Sequence, residues 1–336
     1  MKQHEILAPA GSKESMIGAI NAGAHAIYLA GKRFGARAYA NNFDDESLVD
    51  VISYAHLRGV FVYVAINTVM YDDEIDDLLA YTDQLVTHHV DAFIVQDLGV
   101  MDLLIHRYPH VDIHASTQMN THSIEQVKWL KDQGVKRIVL ARETSLELIK
   151  AIKKEVDIEL EGFGHGALCV CYSGNCLMSS MIGGRSGNRG ECAQPCRLPY
   201  SLYKNQQKIT DQTYLLSTKD LMTIEYMDQL LDAGIDSFKI EGRMRKPEYV
   251  IETVKSYRQA LDAALEKKII SLKDAIWGMK RVFNREYTKG FIMDETPRDL
   301  NNDFRPNHMG VPLGQVIHYA DGKATIKLSD TLSIND

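Results

Sequence analysis

The stretch DIHASTQMNTHSIEQVKWLKDQGVKRIVLARETSLELIKAIKKE, residues 112–155, shows the repeating pattern on which the fold depends. A short apolar run is followed by a segment with helical spacing that ends at Gly134, and the same order then repeats over residues 137–155. A glycine directly after the last turn is typical of a helix C-terminus. The stretch therefore predicts two consecutive strand-helix units.

Similar apolar runs recur along the chain, and most of them precede a helical pattern. Eight runs share this character: EILAPAG (5–11), AIYLAG (26–31), VFVYVAIN (60–67), AFIVQD (92–97), DIHASTQ (112–118), RIVLARE (137–143), DIELEGFGHG (157–166) and SFKIEGR (237–243). Eight such units over about 260 residues match the size of a (β/α)8 TIM-type barrel, so the predicted fold class is α/β. A doubly wound open sheet is the alternative, although the first turn, LAPAGSKES (7–15), lacks the GxGxxG motif of a dinucleotide-binding fold.

Two segments depart from this repeat. A cysteine-rich insertion, residues 163–217, follows the seventh strand and ends in a predicted hairpin at 198–217, and a helix is predicted at 247–266. Loops after strands 7 and 8 of a barrel lie over its C-terminal mouth, where active sites form. We expect residues 1–295 to form the barrel domain and residues 296–336 a small β appendage with a hairpin at 312–330. The start of a further, truncated domain is the other interpretation of these last residues.

The composition is that of an ordinary globular protein, with 45% hydrophobic and 25% charged residues. The net charge of -7 argues against a general cationic coat for nucleic acids or membranes, but it is compatible with local basic patches. The N-terminus, MKQHEILAPAG, lacks the pattern of a signal peptide, and no run reaches the roughly 18 apolar residues of a membrane span. We therefore expect a cytoplasmic protein without a membrane partner, and the sequence leaves the oligomeric state open.

All five cysteines of the chain lie within residues 169–196. Four follow the spacing C-x6-C-x15-C-x3-C and one is extra: Cys169, Cys176, Cys192 and Cys196, with Cys171. In a reducing compartment such a group favours a metal or redox role over disulfides. An iron-sulfur cluster accepts irregularly spaced thiolates, whereas structural zinc usually uses a closer pair, which only the last two cysteines provide. Buried structural cysteines, and a thiol nucleophile with His165 as its base, stay open.

The segment GGRSGNRGECAQPCR (183–197) combines glycines with arginines. Glycine permits positive φ values that leave backbone N–H groups free to face an anion, and Arg185, Arg189 or Arg197 has the donors to hold one. A tight loop with solvated arginines is the alternative interpretation.

The segment EGFGHGALCVCYSGNCLMSS (161–180), followed by GGRSGNRGECAQPCR, closely resembles the signature of the collagenase-like U32 peptidase family. The similarity continues through LAPAGS (7–12), STQMN (116–120), VLARE (139–143), LSTKDL (216–221) and KIEGRMRKPEYV (239–250), so it covers most of residues 5–290. Within the family, the segments SSMIGGRSGNRG and AQPCRLPY are most similar to members of the branch that hydroxylates a cytidine in large-subunit ribosomal RNA. Sister branches hydroxylate transfer RNA uridine or ubiquinone precursors.

The resemblance implies a barrel-type catalytic domain in which Cys169, Cys176, Cys192 and Cys196 hold a 4Fe-4S cluster, with zinc as the alternative metal. It also implies hydroxylation of RNA without molecular oxygen, with prephenate or a similar small molecule as the hydroxyl donor. Cys171 falls where relatives commonly carry a small residue, so it is left out of the ligand set. Gly164 and Asn175 depart from the family pattern, in which a bulkier apolar residue and an arginine are usual. Relatives in the ribosomal RNA branch are commonly longer than 336 residues.

Polar residues at the ends of predicted strands are the remaining site candidates, since a barrel gathers such positions at one mouth. The candidate catalytic residues are His165, Glu143, Glu241 and Arg243, and the candidate substrate-binding residues are Gln118, Arg142, Arg185, Arg189 and Lys239. Ion pairs of Arg142 with Glu143 and of Lys239 with Glu241 are the structural alternative. For His165 that alternative is a hydrogen bond that fixes the loop.

Three functions remain open at the level of sequence. The first is hydroxylation of a pyrimidine in RNA, either a ribosomal cytidine or a transfer RNA uridine. The second is a protease of the U32 type, although the chain has no HExxH, no GxSxG elbow and no recognisable triad order. The third is an RNA-binding module with a structural metal, in which RMRK (243–246) contributes to a phosphate-binding surface.

Overall fold

The computed structural model describes residues 4–333. Seven strands precede the insertion region: β1 (Glu5–Pro9), β2 (Ala26–Leu29), β3 (Phe61–Ile66), β4 (Ala92–Val95), β5 (Asp112–Ala115), β6 (Arg137–Val139) and β7 (Glu159–Ala167). Seven more follow: β8 (Tyr203–Lys204), β9 (Gln207–Lys208), β10 (Asp220–Met222), β11 (Ser237–Ile240), β12 (Tyr287–Thr288), β13 (Gly314–Ala320) and β14 (Lys323–Leu328).

Strands β1 to β7 and β11 form a closed parallel barrel. Strand β11 pairs with β1 through Ser237 and Glu5, and it pairs with β7 through Ser237 and Glu161, so the sheet has no free edge at this point. The predicted barrel is confirmed, and the open doubly wound sheet is excluded by this closure. The apolar runs are continuous because the strands are buried by helices outside and by side chains inside.

Helices follow the strands in the expected order. They are α1 (Lys13–Asn21), α2 (Asp45–His56), α3 (Ile75–Thr87), α4 (Leu98–Arg107), α5 (Ile124–Asp132), α6 (Leu146–Glu155), α7 (Met178–Gly183), α8 (Met227–Asp232), α9 (Pro247–Leu265) and α10 (Lys273–Val282). The predicted helices near 123–134, 145–155 and 247–266 are confirmed. Ser123 and Ser145 lie directly before α5 and α6, where their hydroxyls accept from backbone N–H groups of the first turn. Among residues 4–333, no helix has both the length and the apolar character needed to cross a membrane.

Strand β7 is longer than the other barrel strands and carries the chain out of the barrel. Its first part pairs with β6 and β11, whereas His165–Ala167 pair in antiparallel fashion with β10. Strand β10 in turn pairs with β12. The sequence predicted neither β10 nor β12, because strands of three and two residues are too short to show alternation.

Two hairpins lie outside the barrel, as predicted. Strands β8 and β9 pair inside the insertion, and β13 pairs with β14 near the end of the chain. Asp321 and Gly322 have φ values of 50° and 74° at the second turn, as a tight hairpin turn requires. Every residue of β13 and β14 is exposed. The domain boundary at residue 296 stays a prediction, and residues 300–302 bond to the backbone of residues 217–219.

The barrel interior contains ionised groups as well as apolar ones. Arg137 bonds Glu5 and lies 3.4 Å from Glu161, and Nζ of Lys239 donates to the other Glu161 oxygen at 2.8 Å. Burial opposes the charge of Arg137, but the carboxylates outweigh it, so its pKa is raised. Because the charges alternate in sign, each is compensated inside the barrel. The network extends from the start of β1 to Lys239, the residue at which the cavity above begins.

Candidate active site

A cavity of about 760 Å³ lies at the C-terminal mouth of the barrel. Its floor and walls come from residues at the ends of the barrel strands, and the insertion forms another wall. Gln118, Arg142, Lys239, Glu241 and Arg243, all predicted from sequence as site residues, line it. The volume falls within the range of sites that hold small molecules.

The charge of the cavity is strongly positive, although the chain as a whole has a net charge of -7. Seven basic side chains line the described part of the cavity: Arg37, Arg142, Arg197, Lys239, Arg243, Arg245 and Arg285. The lining has one carboxylate, that of Glu241. Such a concentration of cations away from bulk water favours an anionic ligand.

Four of these cations surround Glu241. We call them the Glu241 group: Arg37, Arg142, Arg243 and Lys239. The Glu241 carboxylate is 3.7 Å from both Arg37 and Arg142. Burial opposes ionisation, but the surrounding cations outweigh it and lower the pKa of Glu241. The carboxylate is therefore ionised, and it neutralises only part of the local positive charge.

Two guanidinium groups in the cavity have buried nitrogens without a partner. Arg243 is 5% exposed, and its Nη1 makes no hydrogen bond within residues 4–333. Nε of Arg142 is also buried without a partner. Burial and the neighbouring Arg37 lower the pKa of Arg243 to about 10, so it remains charged at neutral pH. Buried donors are rarely left unpaired in native proteins, so these nitrogens are available to a bound ligand or water.

The four predicted metal ligands, Cys169, Cys176, Cys192 and Cys196, all line this cavity, whereas Cys171 does not. All five thiols are free. Burial raises the pKa of Cys196 to about 11, and the nearby thiols of Cys169, Cys192 and Cys176 oppose its ionisation further. Within residues 4–333, however, no three potential ligands are grouped closely enough to hold a metal ion. The donor set itself, four thiols on one cavity wall, fits an iron-sulfur or zinc centre in number and in chemistry.

Glycines allow the insertion to lie directly on the barrel mouth. Gly174, between the cysteines, has a φ of 76°, and a side chain there would meet the carbonyl oxygen of Gln118 at 1.9 Å. Gly190 has a φ of 86°, and a side chain there would approach the carbonyl oxygen of Gly35 to 2.6 Å. Both positions therefore require glycine for conformation and for space.

Arg189 fastens the same segment to the loop before α3. It donates to Glu74 at 2.5 and 2.8 Å and to the carbonyl oxygen of Val69. This hydrogen-bonded ion pair lowers the pKa of Glu74 to about 2. Arg185 has a comparable role, since its Nε donates to the carbonyl oxygen of Glu191 and its guanidinium lies 4.7 Å from the ring centre of Tyr39. Neither arginine lines the cavity.

We expect Arg189→Ala to loosen the insertion without unfolding the barrel. The partly exposed pair contributes on the order of 1 kcal/mol, because solvent screens it. Limited proteolysis at pH 7 should cut residues 183–197 several times faster in the variant. The folded pKa of Glu74 lies below its unfolded value of 4.5, so in the wild type the contribution is complete above about pH 4.5 and is lost as pH falls towards 2. Lys208→Ala removes the exposed pair with Asp211 in the same insertion and should leave the cleavage rate unchanged.

Two of the predicted catalytic residues lie outside the cavity. His165 is 1% exposed and is surrounded by the rings of Tyr249, Tyr257 and Tyr287, on the side of β7 that faces α9. Its pKa is lowered to about 4, chiefly by burial, and neither ring nitrogen has a partner within the described chain. The loop-fixing hydrogen bond considered for His165 is therefore absent among the residues described. Glu143 accepts from the backbone N–H of Ser173 and supports the cysteine-bearing loop from below.

The ion pairs considered from sequence have other partners. Arg142 pairs with Glu241 rather than with Glu143, and Lys239 pairs with Glu161 rather than with Glu241. The side chain of Glu161 is buried inside the barrel, where it pairs with Arg137 and Lys239. The residues next to it in sequence do not indicate this pairing. Gly164, a departure from the family pattern, is explained by Tyr257, whose ring would lie 3.0 Å from an added side-chain carbon.

Several lining residues were missed from sequence. Arg37 follows β2 in a loop without a regular pattern, and Asn67 directly follows β3 and donates to Gln118 at 3.1 Å. Asn67 ends the apolar run VFVYVAIN, so its position at a strand end was an available signal. Arg245 was visible only as a member of the basic segment RMRK (243–246), and Arg285 was missed.

Comparison with known proteins identifies the family. The model of peptidase family U32 matches residues 11–302. The chain belongs to this family. Among its curated U32 relatives, a 23S rRNA 5-hydroxycytidine synthase of Escherichia coli is 37% identical over 341 residues, which cover 99% of this chain and 52% of that protein.

Two further U32 relatives carry different names. A tRNA hydroxylation protein of Bacillus subtilis is 36% identical over 300 residues, covering 87% of this chain and 71% of the relative. An uncharacterized protease of Methanocaldococcus jannaschii is 37% identical over 354 residues, covering 99% of this chain and 85% of the relative. The chain thus spans about half of the Escherichia coli protein and most of the other two.

Proposed function

We propose that this chain hydroxylates a pyrimidine in RNA without molecular oxygen, acting in the cytoplasm. The proposed target is carbon 5 of a cytidine in 23S ribosomal RNA, with a transfer RNA uridine as the alternative. The hydroxyl donor is prephenate or a similar small dicarboxylate. The relatives named for hydroxylation of ribosomal and transfer RNA support the reaction class.

One observation carries the proposal: four thiols and a group of cations that carboxylates compensate only in part share a single cavity. RNA and a dicarboxylate are both anions, so both match the sign of the cavity. A pyrimidine ring carbon is unactivated, and a redox cofactor is expected to perform the difficult step while the protein orients the reactants. We assign the four thiols to such a cofactor and the cations to the anionic reactants.

The Glu241 group is the proposed site for the small donor. Arg142 and Arg243 have unpaired buried nitrogens that can donate to carboxylate oxygens, and Arg37 adds a further cation. Glu241 keeps Arg37 and Arg142 in position, and Glu161 does the same for Lys239. Glu241 has a lowered pKa and is a weak base, so we assign it a positioning role. We propose no catalytic role for His165 or Glu143, because neither lines the cavity.

Cys169, Cys176, Cys192 and Cys196 would hold the 4Fe-4S cluster, with zinc as the alternative metal. The cluster supplies electron transfer when it is bound. The thiols are not grouped at coordination distance in residues 4–333, so side chains and loop have to move for them to converge on one centre. Overall, the base exchanges its hydrogen for a hydroxyl group and loses two electrons. The donor gives up the hydroxyl group and takes up the hydrogen and the two electrons, so the exchange needs no other oxidant.

A protease of the U32 type has less support from the cavity. Its described lining contains serines and cysteines but no histidine, so a nucleophile there has no imidazole base. The one carboxylate, that of Glu241, is already engaged by arginines. A thiol nucleophile would also compete with metal binding for the same cysteines.

The test compares nucleosides from cells with and without the gene. Mass spectrometry of purified 23S ribosomal RNA and transfer RNA should show one hydroxylated pyrimidine that disappears on deletion. The wild-type gene should restore it, whereas Arg243→Gln should restore it to less than about a tenth, because a charge-assisted contact contributes roughly 1.5 to 3 kcal/mol. Arg33→Gln, which removes an exposed pair with Asp45, is the matched control and should restore it fully. Identical nucleosides in both strains would contradict the proposal.

A further inference from the structure

One wall of the cavity differs from the Glu241 group in both its residues and their partners. Met244, Arg245, Phe283, Arg285, Pro306 and Asn307 form this part of the lining, which we call the Phe283 wall. The electrostatic neighbours of Arg245 are first Asp220 and Arg285, whereas those of Arg37 are first Glu241 and Tyr28. The cavity therefore contains two cationic groups rather than one.

Arg245 is held in place by stacking. Its guanidinium carbon lies 3.5 Å from the ring centre of Phe283. Phe283 also stacks on His308, with ring centres 5.2 Å apart and ring planes at 18° to each other. Stacking uses one face of the guanidinium and leaves its edges free to donate hydrogen bonds.

Those edges have no partner in the part of the chain that the structure describes. Within residues 4–333, the Arg245 side chain makes no hydrogen bond and no ion pair. Asp220 is the carboxylate that most affects Arg245, but it already accepts hydrogen bonds from Arg285 at 2.6 and 3.1 Å. Burial is the main cause that lowers the pKa of Arg245, which nevertheless remains a cation. A partly buried, oriented cation without a carboxylate partner is available to an anionic ligand.

We propose that Arg245, stacked on Phe283, binds a phosphodiester of single-stranded RNA next to the nucleotide that enters the cavity. This inference rests on the proposed function and names the residue that holds its RNA substrate. A planar guanidinium with free edges matches two phosphate oxygens. Such a stack also suits an unpaired base, since proteins hold single-stranded RNA by stacking on aromatic and guanidinium planes. The pyrimidine has to leave its stack to be reached, so a grip on the adjoining backbone serves the reaction directly.

The experiment measures binding of a fluorescent pyrimidine-rich RNA oligonucleotide to the full chain, purified anaerobically, between 50 and 200 mM salt, where counterion release is measurable. We expect Arg245→Gln to weaken binding about tenfold and to reduce the slope of log affinity against log salt by about one. Arg245→Lys keeps the charge and should restore the slope but not the full affinity. Phe283→Leu should weaken binding and leave the slope unchanged, because it removes the stack and not the cation.

Arg58→Gln is the matched control. Arg58 also stacks on a tyrosine ring, 3.6 Å from the centre of Tyr54, but it lies in the turn before β3, at the other end of the barrel, and does not line the cavity. It should bind RNA as the wild type does. Stabilisation against heat by prephenate should be the same in Arg245→Gln as in the wild type.

Three results would overturn the inference, and they separate it from the proposed function. If the wild type binds RNA and Arg245→Gln binds equally well with the same slope, only the inference fails. If Arg245→Gln loses the prephenate effect and keeps RNA binding, the wall serves the small anion instead. If the wild type binds no RNA at any salt concentration, the proposed function fails together with the inference.

Discussion

Cys192→Ser is expected to abolish the proposed RNA hydroxylation and the proposed metal centre together. Cys192 lines the cavity with Cys169, Cys176 and Cys196, and a hydroxyl is a poor substitute for a soft thiolate ligand of iron. After anaerobic purification, the wild type should be brown and contain iron and sulfide, with visible thiolate-to-iron absorption. The variant should be nearly colourless, and its gene should not restore the hydroxylated nucleoside in a deletion strain.

Cys171→Ser is the internal control for this prediction. Cys171 belongs to the same loop as Cys169 and Cys176, but it does not line the cavity. This variant should keep its colour, its iron content and its activity. A wild type that carries one zinc ion and no iron, or a Cys192→Ser protein that still hydroxylates RNA, would contradict the cluster.

The barrel could be predicted because its signal repeats. Each apolar run, such as AFIVQD at 92–97, is ambiguous when taken alone, but eight of them at similar spacing leave few topologies. The seventh strand could not be described fully in this way. The strand stays paired with β11 as far as His165, and residues 165–167 pair with the short strand β10. Only the spatial closeness of residues 165–167 and 220–222 shows this.

The residues of the candidate site also fall into two groups, those that the sequence placed correctly and those that it did not. Arg142, Glu241 and Arg243 follow strands directly, so the barrel rule placed them correctly at the mouth. His165 also lies near a strand end, but the exit of β7 from the barrel turns its ring towards α9. Arg37 lies in an irregular loop, and nothing in its surroundings in sequence indicates that it meets Glu241. Contacts between distant loops depend on the closed shape, which a list of local patterns does not contain.

The ionic network inside the barrel was also invisible from sequence, and it connects stability with the site. Glu5, Arg137 and Glu161 occupy inward positions on three strands, where apolar residues are usual. Glu161 then bonds Lys239, which lines the cavity floor. The network keeps Lys239 at the floor of the proposed anion site without exposing the barrel interior to water.

Arg137→Met is therefore expected to destabilise the protein by about 3 to 5 kcal/mol, because it leaves buried carboxylates without their main partner. The side chains of Arg137 and Glu5 are each 8% exposed, and that of Glu161 is 0% exposed, so water cannot replace the lost contacts. Urea unfolding followed by far-ultraviolet circular dichroism should show the loss as a lower midpoint with a similar slope. Lys150→Met, which removes the exposed pair of Lys150 with Glu147, should change the free energy of unfolding by less than about 0.5 kcal/mol.

The same variant distinguishes a structural network from a functional one. If the network only supports the fold, Arg137→Met should keep wild-type affinity for prephenate below its unfolding transition. If the network tunes Lys239 as well, the affinity should fall, because Glu5 and Glu161 then keep their negative charge below Lys239 without the guanidinium that offsets it. We expect the second result, since one carboxylate, Glu161, contacts both cations and cannot lose one without changing its hold on the other. A variant as stable as the wild type would contradict the assigned charges of the whole interior.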